Sequence, residues 1–344
     1  MTTDTKKREA ILQIKNLRVY YHVEAGAVKA VDDVTFDLGS GVKMGLVGES
    51  GSGKSTMALA LMRMIKPPGK IEGGQMILDG VDLVGLSNEH MRQTKLRKLA
   101  MIPQGAMNSL NPVMRIDKQI IDGMLDHGVT MSKEEREQRV SELLEMVDLS
   151  PRVAKMYPHE LSGGMQQRVT VAQSISMEPD VIIADEPTSA LDVVIQRQVM
   201  ETINRLQERL GLSVILIGHD MGLMAQTVMR LAVMYAGRMM EIGDTYDMFR
   251  EPLHPYTQLL IESLPVLENK GVFSGIPGIT PSLLNPPEGC VFHTRCPKAW
   301  GLCQEATPQF AEVAPGRWVA CHLHSAGAGA AEVAGQDAGT GVSQ

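Results

Sequence analysis

Met44-Gly45-Leu46-Val47-Gly48-Glu49-Ser50-Gly51-Ser52-Gly53-Lys54-Ser55 is the stretch on which the fold turns. Its first four residues form a short apolar run, and its last eight match G-x-x-x-x-G-K-[ST]. Thr56 to Met64 follows without Gly or Pro and reads as a helix, with Pro67-Pro68-Gly69 as its stop. A strand, a glycine loop and a helix in that order make a phosphate cradle. Glycines let backbone N–H groups turn inward, and the helix N-terminus adds a favourable dipole. In that setting Lys54 reaches the terminal phosphates of a nucleotide, and the Ser55 hydroxyl is placed to ligate Mg²⁺.

The neighbouring segments extend this into an α/β pattern. Ile11 to Val19 alternates apolar and polar with roughly period two, as a strand does. From about residue 104 to 178 the pattern turns helical, with Val140, Leu143, Leu144 and Val147 on one face and Glu134, Glu135 and Arg136 on the first turns. Val181-Ile182-Ile183-Ala184 and Val214-Ile215-Leu216-Ile217 are continuous apolar runs of strands buried on both faces, with a helix expected between them over Val193 to Leu210. The order predicts a mainly parallel sheet with a helical insertion in its middle.

Two further segments carry chemistry. Asp185-Glu186 closes a buried strand, so Asp185 can hold the Mg²⁺ shell while Glu186 orients or polarises an attacking water. Leu161-Ser162-Gly163-Gly164-Met165-Gln166-Gln167-Arg168 places Ser-Gly-Gly before a helix-forming run, a second anion site at a helix N-terminus. One nucleotide rarely needs two cradles from one chain. The economical solution is that the second serves a nucleotide held by another subunit.

Composition bounds the remaining choices. The chain has 344 residues, 44% apolar and 21% charged, the balance of a soluble globular protein with room for a core and an appendage. No run of about 18 apolar residues occurs, so no membrane-spanning helix is expected. Met1 to Glu9 is polar and lacks the apolar stretch of a secretory signal, which predicts a cytoplasmic location. A net charge of -7 argues against nucleic acid as the main partner. The 24 methionines are read as core filling, since Met substitutes for Leu there.

With these motifs in order, residues 11–250 resemble the ABC ATPase family. Gly48 to Thr56 is similar to the family's phosphate loop, Gln104 to its Q-loop glutamine, and Leu161 to Arg168 to its signature. Asp185 and Glu186 look like the Mg²⁺ aspartate and catalytic glutamate, Ser189-Ala190-Leu191-Asp192 like the D-loop, and His219 like the switch histidine. Tyr21 falls where the family places the aromatic that stacks on adenine; Tyr20 is its rival. The resemblance implies a P-loop NTPase cassette: a RecA-like core, an N-terminal antiparallel β portion and a helical subdomain over about 105–178. It also implies a head-to-tail dimer in which ATP on Lys54 of one copy is capped by Ser162, Gly163, Gly164 and Gln166 of the other, with Asp192 nearby. Catalysis would fall to Glu186, His219, Lys54 and Gln104, and Mg²⁺ to Ser55, Gln104 and Asp185.

Beyond Gly243 the periodicity fades and prolines multiply, so 251–324 is expected to be an irregular C-terminal extension. Residues 1–10 are expected to be flexible and the Ala/Gly-rich 325–344 disordered. All four cysteines lie in the extension, a confinement that favours a metal or cluster over disulfides. His254-Pro255-Tyr256-Thr257, Pro277-Gly278 and the set Cys290, Cys296-Pro297, Cys303 and Cys321 resemble the C-terminal domain of dipeptide and oligopeptide importer ATPases, as Met107 to Pro112 resembles that subfamily after the Q-loop. One departure is Gly105-Ala106, where many relatives carry an acidic residue and proline.

Four cysteines with a Cys-Pro step suit a [4Fe–4S] cluster; Zn²⁺ is the alternative, with His293, His322 or His324 as substitute ligands, and an unmetallated extension with buried thiols is the third reading. The subfamily implies two transmembrane permease subunits, a second and paralogous ATPase, an extracytoplasmic solute-binding protein, and a peripheral place on the cytoplasmic face of the membrane. The competing function is a soluble ABC ATPase acting on nucleic acid or the ribosome. It is disfavoured by a single cassette, by only about 130 residues between Lys54 and Asp185, and by the acidic balance.

Overall fold

The computed structural model describes residues 9–105, 109–189, 191–264 and 275–324. Residues 1–8, Ala106, Met107, Asn108, Ala190 and the tail 325–344, all of which carried expectations above, lie outside them.

The chain opens with β1 (Ala10–Val23) and β2 (Gly26–Gly39), then β3 (Lys43–Val47), α1 (Lys54–Leu61), β4 (Gly69–Leu78) and β5 (Val81–Asp82). The order β2-β1-β4-β5 forms an antiparallel sheet. In β1 the buried residues are Leu12 and Ile14, then Leu17 and Val19. The break in alternation has a local cause. Asn16 adopts a left-handed φ of 50° and the register shifts there, a bulge that returns the apolar side chains to the same face. The first helix is shorter than expected. Its α turn ends at Leu61, and Arg63 at φ 47° turns the chain aside before the prolines are reached.

α2 (Asn88–Thr94) and β6 (Leu99–Ile102) lead into the helical insertion: α3 (Ile116–Asp126), α4 (Lys133–Met146) and α5 (Gly163–Ser174). A capping box starts α4, with Ser132 Oγ accepting the Glu135 N–H and the Glu135 carboxylate accepting the Ser132 N–H. Its Val140, Leu143 and Leu144 are buried, as the periodicity predicts.

Then come β7 (Val181–Asp185), α6 (Val193–Leu210), β8 (Ser213–Ile217), α7 (Met221–Thr227), β9 (Arg230–Tyr235) and β10 (Arg238–Asp244). α8 (Thr245–Arg250), α9 (Pro255–Glu262), α10 (Gly301–Glu305), β11 (Ala311–Ala314) and β12 (Arg317–Val319) complete the described chain.

The main sheet has the order β11-β12-β10-β9-β3-β8-β7-β6. β9, β3, β8, β7 and β6 are parallel, and β10, β12 and β11 continue the edge antiparallel. Both β7 and β8 are buried along their whole length. Ile182, Ala184, Val214 and Leu216 enter one core, while Val181, Ile183, Ile215 and Ile217 enter the other. That two-sided burial accounts for continuous apolar runs instead of alternation.

The segment after Gly243 is less irregular and less separate than its prolines suggest. β12 pairs with β10 through Glu241↔Val319 and Ile242↔Trp318, so the extension widens the main sheet. Tyr256 and Phe292 are fully buried against Tyr235, with ring centroids 4.7 to 5.2 Å apart. Such aromatic packing stabilises by about 1 kcal/mol per pair beyond area burial.

Candidate functional site

The phosphate loop joins the end of β3 to the start of α1, and its glycines are required by close backbone approach. A Cβ on Gly48 would lie 2.1 Å from the Met234 carbonyl oxygen, and one on Gly53 2.2 Å from that of Ala30; both residues have φ above 100°. Lys54 is buried, and its ammonium donates to the carbonyls of Gly48 and Glu49, each at 2.8 Å, and to Ser52 Oγ at 3.2 Å. Burial pushes its pKa down, against the charges of Glu186, Asp185 and Glu49. The same carbonyls and hydroxyl hold the side chain inside the loop, where an anion would take it over.

Parallel strand order carries the carboxylates to this loop. The Ser55 hydroxyl donates to Asp185 Oδ1 at 3.2 Å across 130 positions of sequence. Burial pushes the Asp185 carboxyl up, the Ser55 bond opposes this, and the Glu186 charge adds to it. A carboxylate and a hydroxyl side by side at a phosphate loop are hard oxygen donors of the kind Mg²⁺ takes.

Glu186 sits one residue past β7 in a left-handed conformation, φ 43°, with its N–H on the Ile217 carbonyl. Its Oε2 accepts from Gln104 Nε2 at 2.8 Å, and its Oε1 lies 3.3 Å from His219 Nδ1. Gln104 lies two residues past the end of β6. Lys54, Ser55, Gln104, Asp185, Glu186 and His219 thus converge from four strand ends, while Ser50, Gly51 and Thr56 lie on the loop and first helical turn.

The two tyrosines of β1 separate by strand alternation. The Tyr20 hydroxyl donates to Asp32 at 2.5 Å, and Arg238 grips the same carboxylate at 2.7 and 3.1 Å. Tyr21, on the opposite face, lies over Gly69, whose Cβ position is 2.6 Å from the ring. Tyr20 is thus committed to the carboxylate that Arg238 pairs with, and Tyr21 is not.

The second cradle differs. Ser162 is exposed, and its oxygen accepts the Met165 N–H at 3.3 Å as the cap of α5. Gly163 follows, and Gly164 leaves no room for a side chain, since a Cβ there would meet Ile195 Cγ2 at 2.4 Å. Gln166, expected at a nucleotide, is turned inward; its amide donates to the carbonyls of Pro158 at 2.9 Å and Leu161 at 3.2 Å, bracing the loop. Asp192 caps α6 by accepting the N–H groups of Val194 and Ile195. Val193 and Val194 beside it are 79% and 66% exposed, an apolar step next to the signature loop.

All four cysteines are free thiols. Burial pushes Cys290 up to about 11, Cys321 up to about 12 and Cys296 upward, and neighbouring thiols add to each, so the four share one neighbourhood. Backbone N–H groups two residues on (Phe292, Lys298 and Leu323) oppose these shifts by donating to the sulfurs of Cys290, Cys296 and Cys321. The donor chemistry suits a thiolate-bound group. The placement does not assemble one: among the described residues no group of three or more His, Cys, Asp or Glu is arranged to hold a metal ion. Each histidine offered as a substitute zinc ligand places one ring nitrogen on a carbonyl: that of Cys290 for His293, Ala306 for His322 and Leu253 for His324.

The sequence gives no sign of the residues that grip Glu49. Arg295, Thr280 and Tyr256 reach it from the extension, 207 to 246 positions away. The quoted His-Pro-Tyr-Thr segment contains one of them, with nothing local to reveal its target.

The ABC transporter family matches residues 31–189, and the family described as the oligopeptide/dipeptide transporter C-terminal region matches residues 240–303. The chain is 41% identical to the oligopeptide transport ATP-binding protein AppF of Bacillus subtilis, over 92% of this chain and 98% of that one. It is 39% identical to the dipeptide transport ATP-binding protein DppD of Caldanaerobacter subterraneus, with the same coverages. Among solved structures, the ATP-binding cassette MJ0796 in a dimeric post-hydrolysis state with ADP and Pi aligns at a TM-score of 0.62 and 27% identity, over 68% of this chain and 98% of that one. A nucleic-acid or ribosome ATPase gains no support from these relatives.

Proposed function

This chain belongs to the ABC transporter family, among its oligopeptide and dipeptide transport ATP-binding proteins, and from that premise we propose that it hydrolyses ATP to power peptide uptake. The observation that carries this reading is the convergence on Glu186. Its two oxygens face Gln104 and His219, while Ser55 and Asp185 stand beside the buried Lys54. Lys54 and the loop amides bind the phosphates, with Tyr21 against adenine. Glu186 holds the attacking water and takes its proton as the new P–O bond forms and the bond to ADP breaks. His219 and Gln104 orient that carboxylate. Ser55, Asp185 and the Gln104 amide oxygen would hold Mg²⁺, which would supply neutralisation of the phosphate charge.

The partners follow from the second cradle. Ser162, Gly163 and Gly164 cap ATP on another cassette, a paralogue of this one, and Gln166 supports them from behind. Two permease subunits dock near the segment after Gln104, and an extracytoplasmic binding protein delivers the peptide. The chain works at the cytoplasmic face of the membrane; no helix among the described residues is long and apolar enough to cross it.

A [4Fe–4S] cluster on Cys290, Cys296, Cys303 and Cys321 is supported in this reading only by their residue type and their confinement to one segment, since no metal-holding group is assembled among the described residues. Anaerobically purified protein should carry iron and acid-labile sulfide in that ratio. A colourless, iron-free preparation sinks the cluster and leaves the ATPase reading intact.

The transport reading is tested in proteoliposomes holding the permease subunits, both cassettes and a peptide-loaded binding protein. Uptake of labelled peptide should require MgATP and vanish with Lys54→Ala. ATP hydrolysis that no peptide-loaded binding protein stimulates would count against it.

A further inference from the structure

Glu49 is a carboxylate placed inside a phosphate cradle, directly after Gly48 and five residues before Lys54. Left alone, it would repel a polyphosphate and compete with it for the lysine charge. It is not left alone. Arg295, whose side chain is 3% exposed, donates Nη1 to Glu49 Oε2 at 2.6 Å and Nη2 to Oε1 at 2.9 Å, a two-pronged pair. The Thr280 hydroxyl donates to Oε2 at 3.0 Å, and the Tyr256 hydroxyl accepts the Glu49 N–H at 2.9 Å. Partial burial pushes the Glu49 carboxyl up, but the Arg295 bonds and charge outweigh it and hold it below the usual range.

The guanidinium is itself fixed from behind. It donates to the Pro277 carbonyl at 2.8 Å, to the Ile276 carbonyl at 2.9 Å and to the Tyr235 hydroxyl at 3.1 Å, and it lies 5.7 Å from the centre of the Tyr235 ring. All of these anchors except Tyr235 belong to the extension. The next residue in the chain is Cys296, so the extension's own packing sets where this charge lies.

We propose that Arg295 is a positioning residue of the nucleotide site: from the C-terminal extension it neutralises and anchors Glu49, so that a polyphosphate meets Lys54 as an uncancelled charge. The extension is then a working wall of the ATP site. The inference rests on the phosphate-loop reading above and goes beyond it, because no cassette motif includes Arg295.

The test is a double-mutant cycle on the full-length chain, reading MgATP affinity by displacement of a fluorescent ATP analogue, with thermal melts to confirm folding. Arg295→Ala should weaken MgATP about tenfold, because Glu49 becomes an uncompensated negative charge. Adding Glu49→Gln should remove most of that loss, bringing the double variant within about threefold of Glu49→Gln alone. In hydrolysis assays the defect should fall on KM for ATP more than on kcat. An Arg295→Ala chain that stays folded and binds like the parent overturns the proposal. So does a double variant as weak as Arg295→Ala, since removing the Glu49 charge would then leave the loss untouched.

Should Arg295→Ala fail to fold, the cycle is run with Arg295→Gln, which keeps much of the side chain and N–H donors but carries no charge; suppression by Glu49→Gln is required there too. Failure of the underlying reading looks different: the parent would bind no MgATP, or Lys54→Ala would bind as the parent does.

Discussion

The loop at Gly48–Ser55 and the loop at Leu161–Gly164 both deliver backbone N–H groups to a helix N-terminus. Their surroundings have little in common. The first encloses a buried lysine and stands beside Asp185, Glu186, Gln104 and His219. The second offers an exposed serine whose oxygen caps its own helix, with the exposed Val193 and Val194 nearby. One loop can bind and cleave; the other can only cover. A chain with a charged half-site and a neutral half-site is chemically finished only when a second cassette brings the complementary half. In the proposed function, that difference makes closure depend on the nucleotide and lets hydrolysis release it.

The largest expected effect lies in the first half-site. Glu186→Gln keeps size and hydrogen bonding but cannot take a proton, so turnover should fall by about 10²–10⁴. MgATP should still bind, and the chain should run as a trapped dimer in size-exclusion chromatography. Hydrolysis at a near-parental rate would remove Glu186 from its role and erase the contrast between the two loops. Next in size is Lys54→Ala, which deletes the buried ammonium held by the Gly48 and Glu49 carbonyls. MgATP affinity should drop about a hundredfold, close to 3 kcal/mol, as titration calorimetry would show.

The second half-site breaks in another way. Gly164→Ala drives a methyl into Ile195 Cγ2, a contact with the β-branched start of α6 that cannot swing aside. MgATP-dependent dimerisation should weaken about tenfold, whereas binding of nucleotide to the separate chain should hold. Adding Ile195→Ala opens the space and should recover part of the loss. If Gly164→Ala instead weakens binding to the isolated chain, the two loops are one site, and the division drawn above is wrong.

How much of this was legible follows from distance along the chain. β7, β8 and α6 were readable because a buried strand or a long helix is written in consecutive residues. The phosphate loop and its carboxylates were readable because each is a compact motif at a strand end. The bulge at Asn16 and the early end of α1 at Arg63 were not, since each depends on a non-glycine residue in a left-handed conformation. Asn favours that conformation only weakly and Arg gives no signal for it.

The cysteines stood out as a set. That His293, His322 and His324 each place one ring nitrogen on a carbonyl is a tertiary fact. The inward turn of Gln166 is likewise decided by two carbonyls it meets only once its loop has folded. The Arg295–Glu49 pair spans 246 positions, and nothing in either segment announces the other.

The smallest effect probes the wall that only the first loop uses. His254 is fully buried at the start of α9; its Nδ1 accepts the Tyr256 N–H, and its backbone N–H donates to the buried Glu241 carboxylate. Burial, and after it the charge of nearby His324, lowers its pKa to about 3, so the ring is neutral in the folded chain. In the unfolded chain an ordinary histidine takes a proton near pH 6.5. Between those values the unfolded state binds a proton that the folded state refuses. Stability is then complete above about pH 6.5 and falls as acid is added, by about 1 kcal/mol from pH 6.5 to 5.5. Glutamine at this position can still accept the Tyr256 N–H but does not titrate. His254→Gln should therefore lose less melting temperature than the parent across pH 7.5 to 5.5, whatever its absolute stability. Because Tyr256 carries the Glu49 N–H, acid that loosens His254 should also weaken MgATP binding in the parent more than in the variant. A parallel loss in both proteins would mean that the extension and the phosphate loop yield to acid independently.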